Sequence, residues 1–256
     1  MSTPDFGRTA DDYVRHRAGF PPKFFDSLSE IRINLDGARI VDLGTGSGTL
    51  ARGFATRGAE VTGIDLSDDL TREAQRLDAE AGVKVEYVIA PAEDTGLPTG
   101  AFDIVTAGQC WWWFEADAAL SEAARLLRPG GVLLIASFDW LPQPGNVVDI
   151  TERLIEAHNP EWRLGGGNGF HPEFIVDLQR GGFDEVDQLT FPLDVPYSHE
   201  AWRGRVRASA GVAASLPPDR VEAFDNELAA LLTKHFPADP IAVPHRVFAA
   251  SGRSQG

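Results

Sequence analysis

The sequence is poor in residues that typify secreted, membrane-spanning or nucleic-acid-binding proteins. Cys110 is its single cysteine, so no intrachain disulfide can form and a reducing compartment is favoured. Lys and Arg total 23 against 38 Asp and Glu, a formal net charge of −15, and such a surface repels a nucleic-acid backbone. The chain has no apolar run of membrane-spanning length and no basic-then-apolar signal at its N-terminus. We therefore expect a cytoplasmic protein without a nucleic-acid partner or a membrane span.

Metal-site and hydrolase patterns are also missing. The 6 histidines show no ligand spacing and the sole cysteine does not join them, so we predict no metal ion. Neither Ser47 nor Ser137 stands in a G-x-S-x-G context, which argues against a serine hydrolase. The chemistry has to be sought in another part of the chain.

The segment Arg39–Thr49 contains a short apolar run that begins at Ile40. Directly after this run, glycine alternates with Thr and Ser. A buried strand that leads into a glycine turn and then a helix is the start of a nucleotide-binding βαβ unit. Glycine permits the tight turn and the close approach of a ligand. The next apolar segment, Glu60–Leu66, carries Asp65 near the ~20-residue offset expected for a ribose-binding acid. A helix cap is the alternative role for Asp65.

The spacing of the glycines distinguishes between nucleotide ligands. A dinucleotide fingerprint requires G-x-G-x-x-G, but Thr49 stands where its third glycine should be. The D-x-G-x-G-x-G pattern of Asp42–Gly48 instead resembles motif I of the class I methyltransferases that depend on S-adenosylmethionine (SAM). The Leu-x-Pro-Gly-Gly turn at Leu127–Gly131 is similar to another motif of that superfamily. Within it, the chain looks most like the small-molecule group of ubiquinone-biosynthesis and trans-aconitate methyltransferases.

This resemblance implies a three-layer, Rossmann-like α/β fold with a seven-stranded sheet. The sheet should be mostly parallel with an antiparallel last strand, and a helical lid or insert should accompany it. We predict a single domain over residues 1–256, with N-terminal lid helices in 1–36 and a cofactor-binding half in 37–140. The substrate-side half, 141–256, should hold the helical insert at 197–236.

The resemblance also implies SAM as the cofactor. A carboxylate at Glu93 or Asp94 can accept a hydrogen bond from the adenine amine, and an arginine suits the carboxylate end of the cofactor. The alternative for Glu93 and Asp94 is a polar turn, and the alternative for Tyr13 and Arg17 is a solvated helix face. The predicted cofactor-binding residues are Tyr13, Arg17, Asp42, Gly44, Thr45, Gly46, Asp65, Leu66, Ala92, Glu93 and Gln109.

Three consecutive tryptophans, Trp111, Trp112 and Trp113, follow the predicted fourth strand. Ligands of open α/β sheets bind at this edge, and indole rings attract apolar and cationic groups. We therefore predict that the three residues line a pocket for an apolar or aromatic small molecule. His171 is the candidate catalytic base, and a surface histidine at a helix start is its alternative role.

The second half of the sequence offers weaker signals. The glycine-rich segment Asn159–Gly169 is predicted to be a mobile surface loop, since no regular element suits it. One predicted helix carries Arg203, Arg205 and Arg207, which are expected to form a solvated face; contact of one of them with an anionic substrate is the alternative.

The expected reaction is in-line transfer of the SAM methyl group to a small-molecule acceptor. The sulfonium is an activated donor, so the protein chiefly positions the acceptor and excludes water. Two alternatives stay open from the sequence. One is an NAD-dependent oxidoreductase, which is disfavoured because Thr49 stands where the dinucleotide fingerprint requires its third glycine. The other is an inactive SAM-binding regulatory protein.

Overall fold

The computed structural model describes His16 and residues 19–255 of the chain. The strands are β1 (Arg39–Leu43), β2 (Glu60–Asp65), β3 (Val85–Ile89), β4 (Phe102–Gly108), β5 (Leu127–Trp140), β6 (Asp184–Tyr197) and β7 (Ile241–Arg253). The α-helices are α1 (Pro22–Ser27), α2 (Thr49–Ala55), α3 (Asp68–Ala81), α4 (Ala116–Leu126), α5 (Val147–His158), α6 (Pro172–Arg180), α7 (His199–Arg207) and α8 (Pro218–His235). Two 3-10 helices span Leu28–Ile31 and Trp111–Trp113.

Within the described residues, the strands form one seven-stranded sheet in the order β3-β2-β1-β4-β5-β7-β6. Strands β1 to β5 are parallel, and β1 lies between β2 and β4, with Val41 opposite both Thr62 and Val105. The last strands are antiparallel, and helices cover both sides of the sheet. The order therefore reverses between β1 and β4, the switch point at which open α/β sheets bind ligands.

Local sequence explains how the first elements form. Ile40, Val41 and Leu43 are fully buried, as expected for a central parallel strand that is covered on both faces. Ser67 caps α3 by accepting a hydrogen bond from the Leu70 N–H at 3.3 Å. The helix ends at Ala81 and is capped by Gly82, whose φ of 70° is the left-handed conformation that favours glycine.

The described residues divide into two compact units. The sheet unit comprises Gly19–Phe138, Phe170–Phe191 and residues from Val247 onward. The helical unit comprises His16, Asp139–Gly169 and Pro192–Arg246. Strands β5, β6 and β7 thus contribute residues to both units.

Each unit has its own apolar core. In the sheet unit, the buried side chains come from the parallel strands and from α4 and α6, and they include Leu43, Val105 and Phe174. In the helical unit, Trp202 is fully buried and donates from its indole N–H to Thr151 Oγ1 at 3.1 Å.

The sequence-based prediction of the sheet is confirmed, including its mixed strand direction. The helices α7 and α8 lie between the last two strands, where the helical insert was expected. The prediction of one domain over the whole chain stays a prediction. Of the expected N-terminal lid region, 1–36, the structure describes His16 and residues 19–36, which contain α1 and the 3-10 helix Leu28–Ile31.

Several predicted boundaries were wrong for identifiable reasons. The sequence predicts a strand over Phe183–Pro192, but β6 continues to Tyr197, because it is the outermost strand and proline is tolerated at a sheet edge. The sequence also predicts a helix over Trp202–Ser215, but α7 begins at His199, because the Ser198 hydroxyl caps it by accepting a hydrogen bond from the Ala201 N–H at 3.1 Å.

The loop predicted to be mobile is anchored in the helical unit. The carboxylate of Glu152 accepts the Gly166 N–H and the Trp140 indole N–H, each at 2.8 Å. Burial raises the pKa of this carboxyl. Trp162 is itself buried, so the loop is held by an apolar side chain as well. The sequence prediction did not anticipate either contact.

The prediction of a solvated arginine face on α7 was wrong for two of its three members. Arg203 and Arg207 both bind the carboxylate of Asp225, and the Arg207 Nη1 to Oδ1 distance is 2.7 Å. The Arg205 guanidinium lies 4.8 Å from the centre of the Trp140 ring.

No helix within the described residues is both long enough and apolar enough to cross a membrane.

Candidate active site at the carboxyl edge of the parallel strands

The glycine turn after β1 adopts a backbone that only glycine takes readily. Gly44, Gly46 and Gly48 have φ values of 62°, 55° and 73°. A Cβ atom on Gly44 would lie 2.9 Å from both Cys110 Sγ and Phe114 Cζ. The turn therefore packs directly against the segment that follows β4, and this contact brings two predicted site segments together.

Asp42 supports the turn from within the core of the sheet unit. Its side chain is buried, and its two carboxylate oxygens accept the hydroxyls of Thr45 at 2.7 Å and Thr106 at 2.8 Å. Burial is the main reason that the pKa of the Asp42 carboxyl is raised to about 6. Both oxygens thus bind groups of the protein itself, a role that the sequence pattern did not reveal.

Asp65 connects the end of β2 to the same turn. One carboxylate oxygen accepts the Gly46 N–H at 2.7 Å, and the other accepts the Ser67 N–H at 2.9 Å. Two large apolar side chains beside it face solvent: Leu66 is 72% exposed, and Ile89, which pairs with Asp65 in the sheet register, is 50% exposed. Ile89 is not among the predicted site residues, although its place at the end of β3 points to the same edge of the sheet.

These residues fit the adenosine part of SAM. A carboxylate offers about four lone-pair sites, and Asp65 uses one on each oxygen for a backbone N–H. The remaining capacity matches the two donor hydroxyls of a ribose. The exposed Leu66 and Ile89 offer apolar surface of the kind that an adenine ring covers.

The other predicted cofactor residues form contacts within the sheet unit. Ala92 is buried in its core, and Glu93 accepts the Glu115 N–H at 3.0 Å, which joins it to the start of α4. Gln109 has a left-handed φ of 63°, and its side-chain amide donates to the Phe138 carbonyl. Tyr13 and Arg17 lie outside the described residues.

The three tryptophans form a 3-10 turn in which they occupy different environments. Trp111 is buried and donates from its indole N–H to Asp177 Oδ2 at 2.8 Å. Trp112 and Trp113 are 41% and 42% exposed. The buried indole therefore secures the turn that presents the other two.

His171 lies beside the exposed indole of Trp112. The two rings stack with centroids 5.8 Å apart, and His171 also stacks on Phe174 at 4.8 Å. Nδ1 of His171 lies 2.9 Å from Glu173 Oε1. When the proton is on Nδ1, the Nδ1–H group donates a hydrogen bond to Glu173 and Nε2 is the basic nitrogen. Sequence spacing alone did not identify Glu173 as a partner.

The described part of the chain contains no group of three His, Cys, Asp or Glu residues placed to hold a metal ion. The polar groups observed at this edge of the sheet are carboxylates, hydroxyls, backbone N–H groups and the imidazole of His171.

Comparison with known proteins identifies the family. A family model described as a methyltransferase domain matches residues 41–135. A ubiquinone biosynthesis O-methyltransferase from Xanthomonas oryzae pv. oryzae is 30% identical over 181 residues, which cover 70% of this chain and 74% of that protein. The chain belongs to the class I SAM-dependent methyltransferases.

Solved structures show the same fold. The structure of a putative type II methyltransferase from Anaeromyxobacter dehalogenans superposes on this chain with a TM-score of 0.68 at 24% sequence identity. The match covers 93% of this chain and 98% of the other. The phosphoethanolamine N-methyltransferase 2 of Haemonchus contortus, in complex with S-adenosylhomocysteine, gives a TM-score of 0.56 at 19% identity. That match covers 97% of this chain and 57% of the other.

The predicted activity is thereby confirmed at the level of the family. The methyltransferase uses SAM and transfers its methyl group to a small-molecule acceptor. Neither the oxidoreductase nor the inactive regulatory protein is supported.

Asp42→Asn should change how stability depends on pH. The pKa of Asp42 is raised in the folded chain to about 6, so the protonated carboxyl stabilises the fold fully below its unfolded pKa, and this contribution is lost as pH rises through the folded value. Asparagine does not titrate. The unfolding free energy of the wild type relative to the variant should fall by about 2 kcal/mol between roughly pH 4 and 7. Urea unfolding at several pH values measures it, and a difference independent of pH would contradict the assignment.

Proposed function

We propose that the methyltransferase methylates a hydroxyl group of a flat, apolar or aromatic small molecule that lies against Trp112. The observation that carries the proposal is the half-exposed indole of Trp112, stacked on the ring of His171. An apolar ring and a base side by side suit an aromatic hydroxyl acceptor. The relative from Xanthomonas oryzae is named for O-methylation, which agrees with an oxygen acceptor.

For the cofactor, we propose that Asp65 accepts the ribose hydroxyls and that Leu66 contacts the adenine ring. When bound, SAM supplies a methyl group on an activated sulfonium. The glycine turn allows close approach, because Gly46 carries no side chain that would separate the ligand from the backbone. Asp42 and Thr45 hold the turn in place through their mutual hydrogen bond.

The remaining cofactor contacts follow from the segments after β3 and β4. Ala92 and Glu93 are proposed to meet the adenine edge, where a carboxylate oxygen of Glu93 accepts from the exocyclic amine. Gln109 is proposed to contact the cofactor from the end of β4. Tyr13 and Arg17 stay predicted partners of its carboxylate end.

For the acceptor, we propose that Trp112 and Trp113 form the exposed apolar wall while Trp111 anchors them. Three facts support this division: Trp111 is buried, its indole N–H is bonded to Asp177, and the next two indoles face solvent. Soluble proteins rarely expose adjacent large aromatic side chains without a binding role. A polyanionic acceptor would gain nothing from such a wall.

For the proton, we propose that His171 removes it from the acceptor hydroxyl. The Glu173 carboxylate, 2.9 Å from Nδ1, favours the tautomer with a basic Nε2 and stabilises the imidazolium that forms. The deprotonated oxygen would supply the electron pair of the new bond to the methyl group, and the electron pair of the broken sulfur–methyl bond would remain on the sulfur of the departing S-adenosylhomocysteine. His171 thus acts as the general base of the proposed reaction.

Asp65→Ala should weaken the binding of S-adenosylhomocysteine by about 1.5–3 kcal/mol, the value of a hydrogen bond to a charged group. Calorimetric titration measures this loss. Because Asp65 also binds the glycine turn, 2′-deoxy-S-adenosylhomocysteine separates the two effects: it should lose affinity for the wild type but much less for the variant. Asp69→Ala, an exposed acid on α3, is the control. Equal losses of the analogue in both proteins would remove Asp65 from the ribose site.

Trp112→Ala should raise the acceptor KM about tenfold, because stacking on an indole contributes roughly 0.5–1.5 kcal/mol beyond area burial. The affinity for S-adenosylhomocysteine should change by no more than about twofold, because Trp112 is proposed to contact the acceptor and not the cofactor. Turnover is followed with a panel of phenols and of aliphatic polycarboxylates. Val176→Ala, an exposed apolar change on α6, is the matched control. A preference for the polycarboxylates, or an unchanged KM for phenols, would refute the aromatic wall.

His171→Gln should lower kcat by about 100-fold for an acceptor whose hydroxyl is protonated at the assay pH. The loss should shrink once the pH exceeds the pKa of the acceptor, because an ionised oxygen needs no base. Glu173→Gln should give a smaller loss of the same kind. A purely structural histidine would lower kcat equally at every pH, and that result would exclude His171 as the base.

A further inference from the structure

A second set of side chains holds the glycine turn from the side of α3. Arg52, on α2, donates from Nη2 to the carbonyl oxygen of Ser47 at 2.8 Å, and Ser47 lies inside the turn. The same nitrogen lies 3.3 Å from the Ala74 carbonyl oxygen of α3. One guanidinium thus joins the turn to the neighbouring helix.

Asp78 and Tyr87 complete this arrangement. Asp78 is 3% exposed, and its Oδ1 lies 2.8 Å from Arg52 Nε, an ion pair without the alignment of a hydrogen bond. Its other oxygen accepts the Tyr87 hydroxyl at 2.7 Å. Burial, and then the hydrogen bond to Asp78, raise the pKa of Tyr87, so the phenol stays a neutral donor.

The space behind the turn is filled. A Cβ atom on Gly48 would collide with the Tyr87 hydroxyl and would lie 3.2 Å from Arg52 Nη2. Gly48 therefore needs both its left-handed φ of 73° and its lack of a side chain. The turn cannot relax toward α3 without displacing one of these groups.

Stability alone is a weak explanation for such a cluster. A buried ion pair often contributes no more to stability than well-packed apolar residues would. A turn with several glycines, in contrast, has many accessible conformations, and a ligand that binds it must bear the entropic cost of ordering them. Contacts that order the turn in advance remove this cost from binding.

We infer that Arg52, Asp78 and Tyr87 are positioning residues that preorganise the glycine turn and thereby set the affinity for the cofactor. The inference rests on the proposed cofactor-binding role of that turn. Arg52 acts through the Ser47 carbonyl, while Asp78 and Tyr87 hold the guanidinium in the orientation that this hydrogen bond requires. None of the three has to touch the cofactor.

Arg52→Lys separates positioning from stability. A lysine ammonium can pair with Asp78, but it is a single donor centre and cannot also reproduce the fork that reaches Ser47. We expect the melting temperature to stay close to that of the wild type, while the Kd for S-adenosylhomocysteine rises about tenfold, as for one lost charged hydrogen bond. The binding entropy should become less favourable, and the acceptor KM at saturating SAM should not change.

Arg72→Lys is the matched control, because Arg72 forms exposed ion pairs on α3 with Asp68 and Asp69. Tyr87→Phe is the second variant, and it keeps the inference testable if Arg52→Lys does not fold. Folded variants of Arg52 and Tyr87 that both bind S-adenosylhomocysteine with wild-type affinity would overturn the inference. If those variants keep wild-type affinity while Asp65→Ala weakens binding, only the positioning role fails. If Asp65→Ala also binds S-adenosylhomocysteine with wild-type affinity, the proposed cofactor site itself is refuted.

Discussion

The close contact between Gly44 and the segment after β4 is the constraint on which the site depends. Cys110 Sγ donates to the Leu43 carbonyl at 3.2 Å, and Phe114 occupies the space that a side chain on Gly44 would need. This contact fixes the distance between two neighbouring strand ends that lie far apart in sequence. Asp65 and the tryptophan turn can belong to the one proposed site only because these strand ends meet.

Much of this arrangement follows from local sequence, and the reasons are physical. Long buried strands, glycine turns and helix caps act over a few residues, so the first five strands and the end of β2 at Asp65 could be read directly. The carboxylate of Asp65 stands where the offset from the glycines placed it. The exposed tryptophans could be expected at a ligand-binding edge, but a pattern of three identical residues cannot tell which one is buried.

What the sequence did not reveal are contacts made across long separations. Thr106 binds Asp42 from a strand 64 residues away, and Asp177 binds Trp111 from 66 residues away. Nothing in the spacing of these residues marks them as partners. The same holds for Glu152, whose hydrogen bonds turn a glycine-rich segment into an anchored loop. Polar pairs of this kind depend on the packing of whole elements, which single-sequence patterns do not encode.

Two prolines in the C-terminal half of β6 affect how readily this edge of the sheet can pair with a strand of another molecule at high protein concentration. An outermost strand offers unpaired N–H and C=O groups to any other chain with an exposed strand. Pro192 and Pro196 lack the N–H group, so they interrupt the ladder that a second molecule would extend. The opposite edge, β3, is only five residues long and exposes Glu86. Intermolecular strand pairing is therefore disfavoured along the second half of β6 and at β3.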